Sequence, residues 1–294
     1  MPPGSPAPSW NLLTDIQELW SYPFMVTAFR AGTIVAVLAG AIGWFMVLRK
    51  QSFAGHSLAM VSFPGAAGAT LIGVSTAYGY FGFCIAAALV IAARPRTGSG
   101  GHSEESAVTG TVQAFALACG FLFIALYKGF LDGITALLFG SLLGVTDSQV
   151  QVLLIVAVLA LGTLAVIGRP LLFASIDPDV AAARGVPVRA LAAVFLVLLG
   201  AAVAEASQLT GALLVFALLV MPAATAQVIT ARPAASLVLS VVIGVLVTWF
   251  GLGVAFYSPY PIGFFVTTFA FVLYVLANAV RFGLPRLRTS WSAA

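Results

Sequence analysis

Charge is scarce in this sequence. Asp, Glu, Lys and Arg make up 7% of its 294 residues, and 61% are hydrophobic. Ordinary soluble domains are about 25% charged, so a soluble globular protein is excluded. Cysteine is nearly absent: Cys84 and Cys119 both fall in apolar runs, which suits small core residues and excludes a disulfide framework. Histidine occurs twice, leaving the serines without a plausible His and Asp pair, and no compact metalloenzyme or nucleophile motif is present. Lysine also occurs only twice: Lys50 precedes Gln51 and Lys128 precedes Gly129. Without a GxxxxGK[ST] phosphate loop, the chain does not hold ATP by that route. These absences argue against an enzyme. The net charge of +4 calls for no nucleic acid, because it follows from arginines crowding one membrane face. Met1–Ser9 is Pro-rich and lacks a basic stretch ahead of an apolar one, so it does not read as a signal peptide.

What fills the chain is long apolar runs. Uncharged stretches above about 18 residues read as membrane helices, so the expected class is an all-α polytopic membrane protein. Residues 10–21 are amphipathic, with Trp10 and Trp20 marking an interfacial helix. A first span covers about 24–48. Residues 57–93 carry no charge, too long a run for one crossing of a ~30 Å core. They divide into two spans near 74–79. A hydrophilic loop at 94–106 precedes a span at 107–127. The apolar stretch 133–146 is too short to cross and suits a half helix. Further spans fall at 148–168, 190–206, 208–231, 234–256 and 262–281, with a tight turn expected at Ala206–Gln208. This gives nine crossings, an N-terminal segment 1–23, one permease-like domain 24–281 and a basic tail 282–294. Nine crossings place 11 of the 13 basic residues on one side; only Arg30 and Lys128 lie elsewhere. The positive-inside bias puts that side in the cytoplasm, with the N-terminus outside.

The loop 173–190, FASIDPDVAAARGVPVRA, interrupts this apolar chain. It holds Asp177, Asp179, Arg184 and Arg189, four of 22 charged residues. Its spacing predicts a short helix capped by Asp177, opened by Pro178 and stopped by Gly185. Such a helix is either a well-capped surface element or a handle for a soluble partner.

Four blocks decide between these. They are VLRKQSFAGHSLAMVSFPGAAGATLIG (47–73), ITALLFGSLLGVTDSQV (134–150), the loop itself, and QLTGALLVFALLVMPAATAQVIT (208–230). In order and spacing they resemble the permease subunits of metal-type ABC importers, over about residues 24–281. The core Met221-Pro222-Ala-Ala-Thr225 is the most diagnostic part. The resemblance implies a vitamin B12-type (type II) permease fold in a bacterial plasma membrane. It also implies a second permease copy across the translocation path, a separate ABC ATPase that binds ATP, and an extracytoplasmic metal-binding protein. Asp177, Asp179, Ala182, Arg184 and Gly185 would then meet the ATPase.

Ionisable groups inside a membrane are functional hypotheses by default. His56 and Met60 share one helix face and precede Pro64-Gly65. In the resembled family, the residues eight and four before this proline are Asp and His, thought to bind metal; here they are His56 and Met60. An imidazole–thioether pair is softer and suits Cu(I) or Zn(II) better than Mn(II). Otherwise His56 caps a helix and Met60 is packing. Glu205 reads as a cation-attracting carboxylate near the outer mouth or as a hydrated interfacial residue; Arg30 either reaches the headgroups or pairs with it. Lys128 and Asp132 flank the half helix. His102, beside Glu104 and Glu105, belongs to a mobile connector or a loose cation site. Pro64 and Pro222 interrupt two spans of opposite direction and are expected to kink them.

The resulting expectation is the permease subunit of an ATP-driven importer for a divalent transition metal of the zinc or manganese class, with membrane lipid around it and no cofactor of its own. A metal-chelate permease (siderophore- or cobalamin-like) and a stand-alone secondary transporter or channel are the alternatives.

Overall fold

The computed structural model describes residues 12–93, 101–127, 144–212, 215–258 and 260–291, with side chains described within 17–281 except at 101–106. Helices dominate them: α1 (Leu12–Ser21), α2 (Pro23–Leu48), α3 (Ser52–Ile72), α4 (Thr76–Ala92), α5 (Gly101–Leu126), α6 (Asp147–Ile176), α7 (Pro178–Ala183), α8 (Val188–Thr210), α9 (Val215–Ile229), α10 (Pro233–Phe256) and α11 (Ile262–Trp291). Among the described residues, α2, α5, α6, α8, α10 and α11 are long and apolar enough to cross a membrane, while α4 and α9 are shorter apolar helices. The protein is all-helical and multi-pass.

Helix α2 is the centre. It packs against α6, α8, α9 and α10, and small residues bring those neighbours close. A methyl group at Gly40 would press on the main chain of Val241, and one at Gly43 would overlap the Leu219 carbonyl. Polar side chains tie the helices where they meet. Trp44 Nε1 donates to Ser236 Oγ (2.9 Å), Ser240 Oγ to the Gly40 carbonyl (2.8 Å) and Gln227 Nε2 to the Trp44 carbonyl (3.0 Å). In lipid, polar groups without such partners are costly.

Helices α3, α4 and α5 form a second group that joins the first through α8. The uncharged run 57–93 divides as its length requires. Gly73, at φ +76°, ends α3, and the Val74 N–H bonds back to the Ala69 carbonyl. A glycine in the left-handed region satisfies the last carbonyls of a helix without steric cost. Ser57 Oγ donates to Gln113 Oε1 (2.7 Å), fastening α3 to α5. At the other edge, the amphipathic stretch forms helix α1, with Trp20 stacked on Phe29 of α2 at 5.7 Å.

Four boundaries differ from those expected. Residues 101–106 are the first turns of α5, so His102, Glu104 and Glu105 stand in a helix and not in a mobile connector. Helix α6 does not stop at Gly168. It continues through Arg169-Pro170 to Ile176, because a proline removes one main-chain bond without forbidding a helix. The turn expected at Ala206–Gln208 is helix as far as Thr210. Helix α11 also carries on through the basic tail to Trp291. Most of the expected half helix, with Lys128 and Asp132, lies outside the described residues. Its last residue, Thr146, caps α6: Thr146 Oγ1 accepts from the Gln149 N–H, and Gln149 Oε1 accepts from the Thr146 N–H (2.9 Å). This reciprocal pair is a capping box.

Candidate functional site

The polar loop folds as its residues dictate. Asp177 is extended, and its Oδ1 accepts the Val180 N–H at 3.0 Å. Pro178 occupies the first helical position, where no donor is lost. Asp179 sits in the first turn, where a carboxylate complements the helix dipole. Gly185, at φ +80°, ends the turn, with its N–H on the Ala182 carbonyl and the Val186 N–H on the Ala181 carbonyl. Ala181 is fully buried and anchors α7. Asp177, Asp179, Ala182, Arg184 and Gly185 are all exposed. Val180 is 45% exposed, an apolar contact that attention to charge and caps passed over.

The second group lies on α3, α8 and α9. His56 and Met60 are both half-buried, one turn apart on α3. His56 does not cap a helix, since Gln51 holds the N-cap position of α3. Its ring meets that of Phe216 edge-on, with centroids 5.1 Å apart and planes at 73°. Phe216 lies on α9, two residues into it. Nothing in the sequence distinguished this aromatic from the other residues of an apolar run. Pro64 and Pro222 lie inside the continuous helices α3 and α9.

Glu205 is fully buried in α8, and neither carboxylate oxygen has a hydrogen-bond partner. The hydrated-turn reading is therefore corrected: α8 carries Glu205 into the packed interior, against α2, α3, α4 and α6. Pairing with Arg30 does not occur either, because Arg30 is exposed and Glu205 is unpartnered. An isolated carboxylate out of water costs several kcal/mol when ionised. Ser207 Oγ is likewise buried without a partner. Six residues after Glu205 the helix breaks at Gly211, at φ +75°. Gly211, Ala212 and Val215 around that break are all buried. Irregular backbone at such a place needs surrounding protein or a lined cavity.

Among the described residues, no group of three or more His, Cys, Asp or Glu side chains is placed to hold a metal ion. His56 and Glu205 therefore belong to no such group.

Comparison with known proteins places this arrangement. The manganese transport system membrane protein MntC of Listeria innocua is 30% identical over 237 residues, covering 81% of this chain and 83% of that protein. The chelated iron transport system membrane protein YfeC of Yersinia pestis is 28% identical, covering 90% and 89%. Among solved structures, PsaBC from Streptococcus pneumoniae in complex with Fab superposes with a TM-score of 0.79 at 26% identity, over 90% of this chain and 95% of that one. An inward-facing metal-chelate type ABC transporter shares the fold, with a TM-score of 0.67 at 17% identity. The family model for the ABC 3 transport family matches residues 21–281, and the chain belongs to that family.

Proposed function

We propose that this chain is the membrane permease subunit of an ATP-driven importer for a divalent transition metal. One observation carries the coupling part of the reading. The helix α7 is capped at both ends, anchored by the buried Ala181 and otherwise turned outward. That is the form of a rigid plug that seats in a partner's cleft. Nine helices, α2–α6 and α8–α11, would cross the membrane in the type II permease manner. The N-terminus would be outside, and α7 would face the cytoplasm with the arginine-rich side. Two copies would enclose the path. A separate ATPase would grip α7, and an extracytoplasmic binding protein would deliver cargo.

The relatives named for manganese support manganese(II) as the first cargo to test. His56, Met60 and Glu205 are the candidate path contacts. The absence of a closed ligand set among the described residues fits a path completed only when two copies meet. It also favours a second reading, in which a metal chelate passes without direct ligation.

Deleting residues 178–185 tests the coupling. Membrane insertion should persist, while ATPase co-purification and uptake should both be lost. Retained uptake would overturn the reading.

A further inference from the structure

Arg49 lies where three segments converge. It follows α2, and its side chain is half-buried. Nη1 donates to Ser175 Oγ at 3.0 Å, near the end of α6 and two residues before the Asp177 cap of α7. Nε donates to Gln51 Oε1 at 3.1 Å; Gln51 is buried and is the N-cap residue of α3, five residues before His56. The guanidinium carbon stands 5.3 Å from the ring centroid of Phe195, a fully buried residue of α8, the helix that carries Glu205.

The turn that holds Arg49 has little slack. The Lys50 N–H bonds to the Val47 carbonyl and the Gln51 N–H to the Met46 carbonyl. Lys50 takes a left-handed φ of +57°, which a non-glycine residue holds only where its surroundings fix it. Displacing the guanidinium therefore displaces the start of α3. The planar guanidinium fork donates in two fixed directions while its face stacks on a ring, and lysine does neither.

We propose that Arg49 is the positioning residue that hands movement of α7 to α3 and α8, the two helices bearing the candidate path contacts. Its side chain touches the approach to α7, the cap of α3 and the core of α8 together. The inference rests on the reading of α7 as the ATPase-binding helix.

The test uses the full transporter in proteoliposomes, with its ATPase and binding protein. Radiolabelled manganese(II) uptake and ATP hydrolysis are measured together. Arg49→Ala should keep the ATPase bound and hydrolysing, while manganese imported per ATP falls about tenfold, the size of an ordinary coupling free energy. Arg49→Lys should lose most of the ratio too, because charge alone does not replace the fork. Ser175→Ala should lower it, and Ser175→Thr, which keeps the hydroxyl, should restore it. If Arg49→Ala does not insert, the Ser175 pair decides. An unchanged ratio in both Arg49→Ala and Ser175→Ala overturns the proposal. So does release of the ATPase from inserted Arg49→Ala, which would place Arg49 in the docking surface. The deletion of 178–185 separates the two ideas. If it retains the ATPase, the α7 reading fails. If it releases the ATPase while Arg49→Ala and Ser175→Ala both import at the normal ratio, only the role of Arg49 fails.

Discussion

Gly65 of α3 and Gly79 of α4 lie main chain against main chain. A methyl group built on either residue overlaps the carbonyl of the other. The two helices therefore cross at a point that admits no side chain, one residue after Pro64. Gly65→Ala should destabilise the protein by about 1–3 kcal/mol, the ordinary cost of overpacking a tight site. Gly82→Ala, where a methyl meets nothing, should have little effect. Thermal unfolding in detergent separates the two.

The cap of α7 makes its own prediction. Asp177 accepts the Val180 N–H, so Asp177→Ala should weaken the short helix by about 1 kcal/mol. Asp177→Asn keeps an acceptor at the same place and should behave nearly as the unmodified chain. Co-purification of the ATPase measures the difference. Equal loss in both variants would mean that the charge matters and the cap does not.

Glu205 separates function from stability. Glu205→Gln should reduce manganese(II) uptake at limiting metal by about tenfold or more while unfolding temperature stays level or rises. The substitution removes a group whose ionised form, buried without a partner, carries a desolvation cost. A fall in stability with unchanged uptake would assign Glu205 to the framework.

On α3, His56→Ala should lower uptake, and Met60→Leu, which keeps the apolar volume but removes the thioether, should lower it to a smaller extent; unchanged uptake in Met60→Leu would assign Met60 to packing. Phe216→Ala would remove the edge-on ring contact from His56 and should alter the manganese concentration giving half-maximal uptake. Full uptake by His56→Ala in a strain that needs this transporter would remove His56 from the path.

The parts legible in the sequence were those set by local chemistry. Asp177, Pro178 and Gly185 define α7 through caps alone, and the caps stand where the spacing put them. The length of the run 57–93 required a break near 74–79, and the structure turns at 73–75, with Gly73 as the cap of α3. What could not be read depends on neighbours. Glu205, Ser207 and Gln208 look like surface residues in a one-dimensional reading. They continue α8 inward because α2, α3, α4 and α6 surround it. The span expected to close at 168 runs on through Pro170 within α6. The contact of His56 with Phe216 joins residues 160 positions apart, and no periodicity reports such a distance.

Helix α6 gives this molecule a long arm. Its 30 residues span about 45 Å at 1.5 Å per residue, and Asp177 alone separates it from α7. At its far end Asp147 accepts from Thr27 Oγ1 of α2 at 3.5 Å. If the rod pivots by about 10° at the α7 end, simple trigonometry carries the far end through roughly 8 Å, more than one turn of a helix. Leverage of this kind would let a small rotation at one membrane face become a wide excursion at the other, with Thr27 and Asp147 parting first.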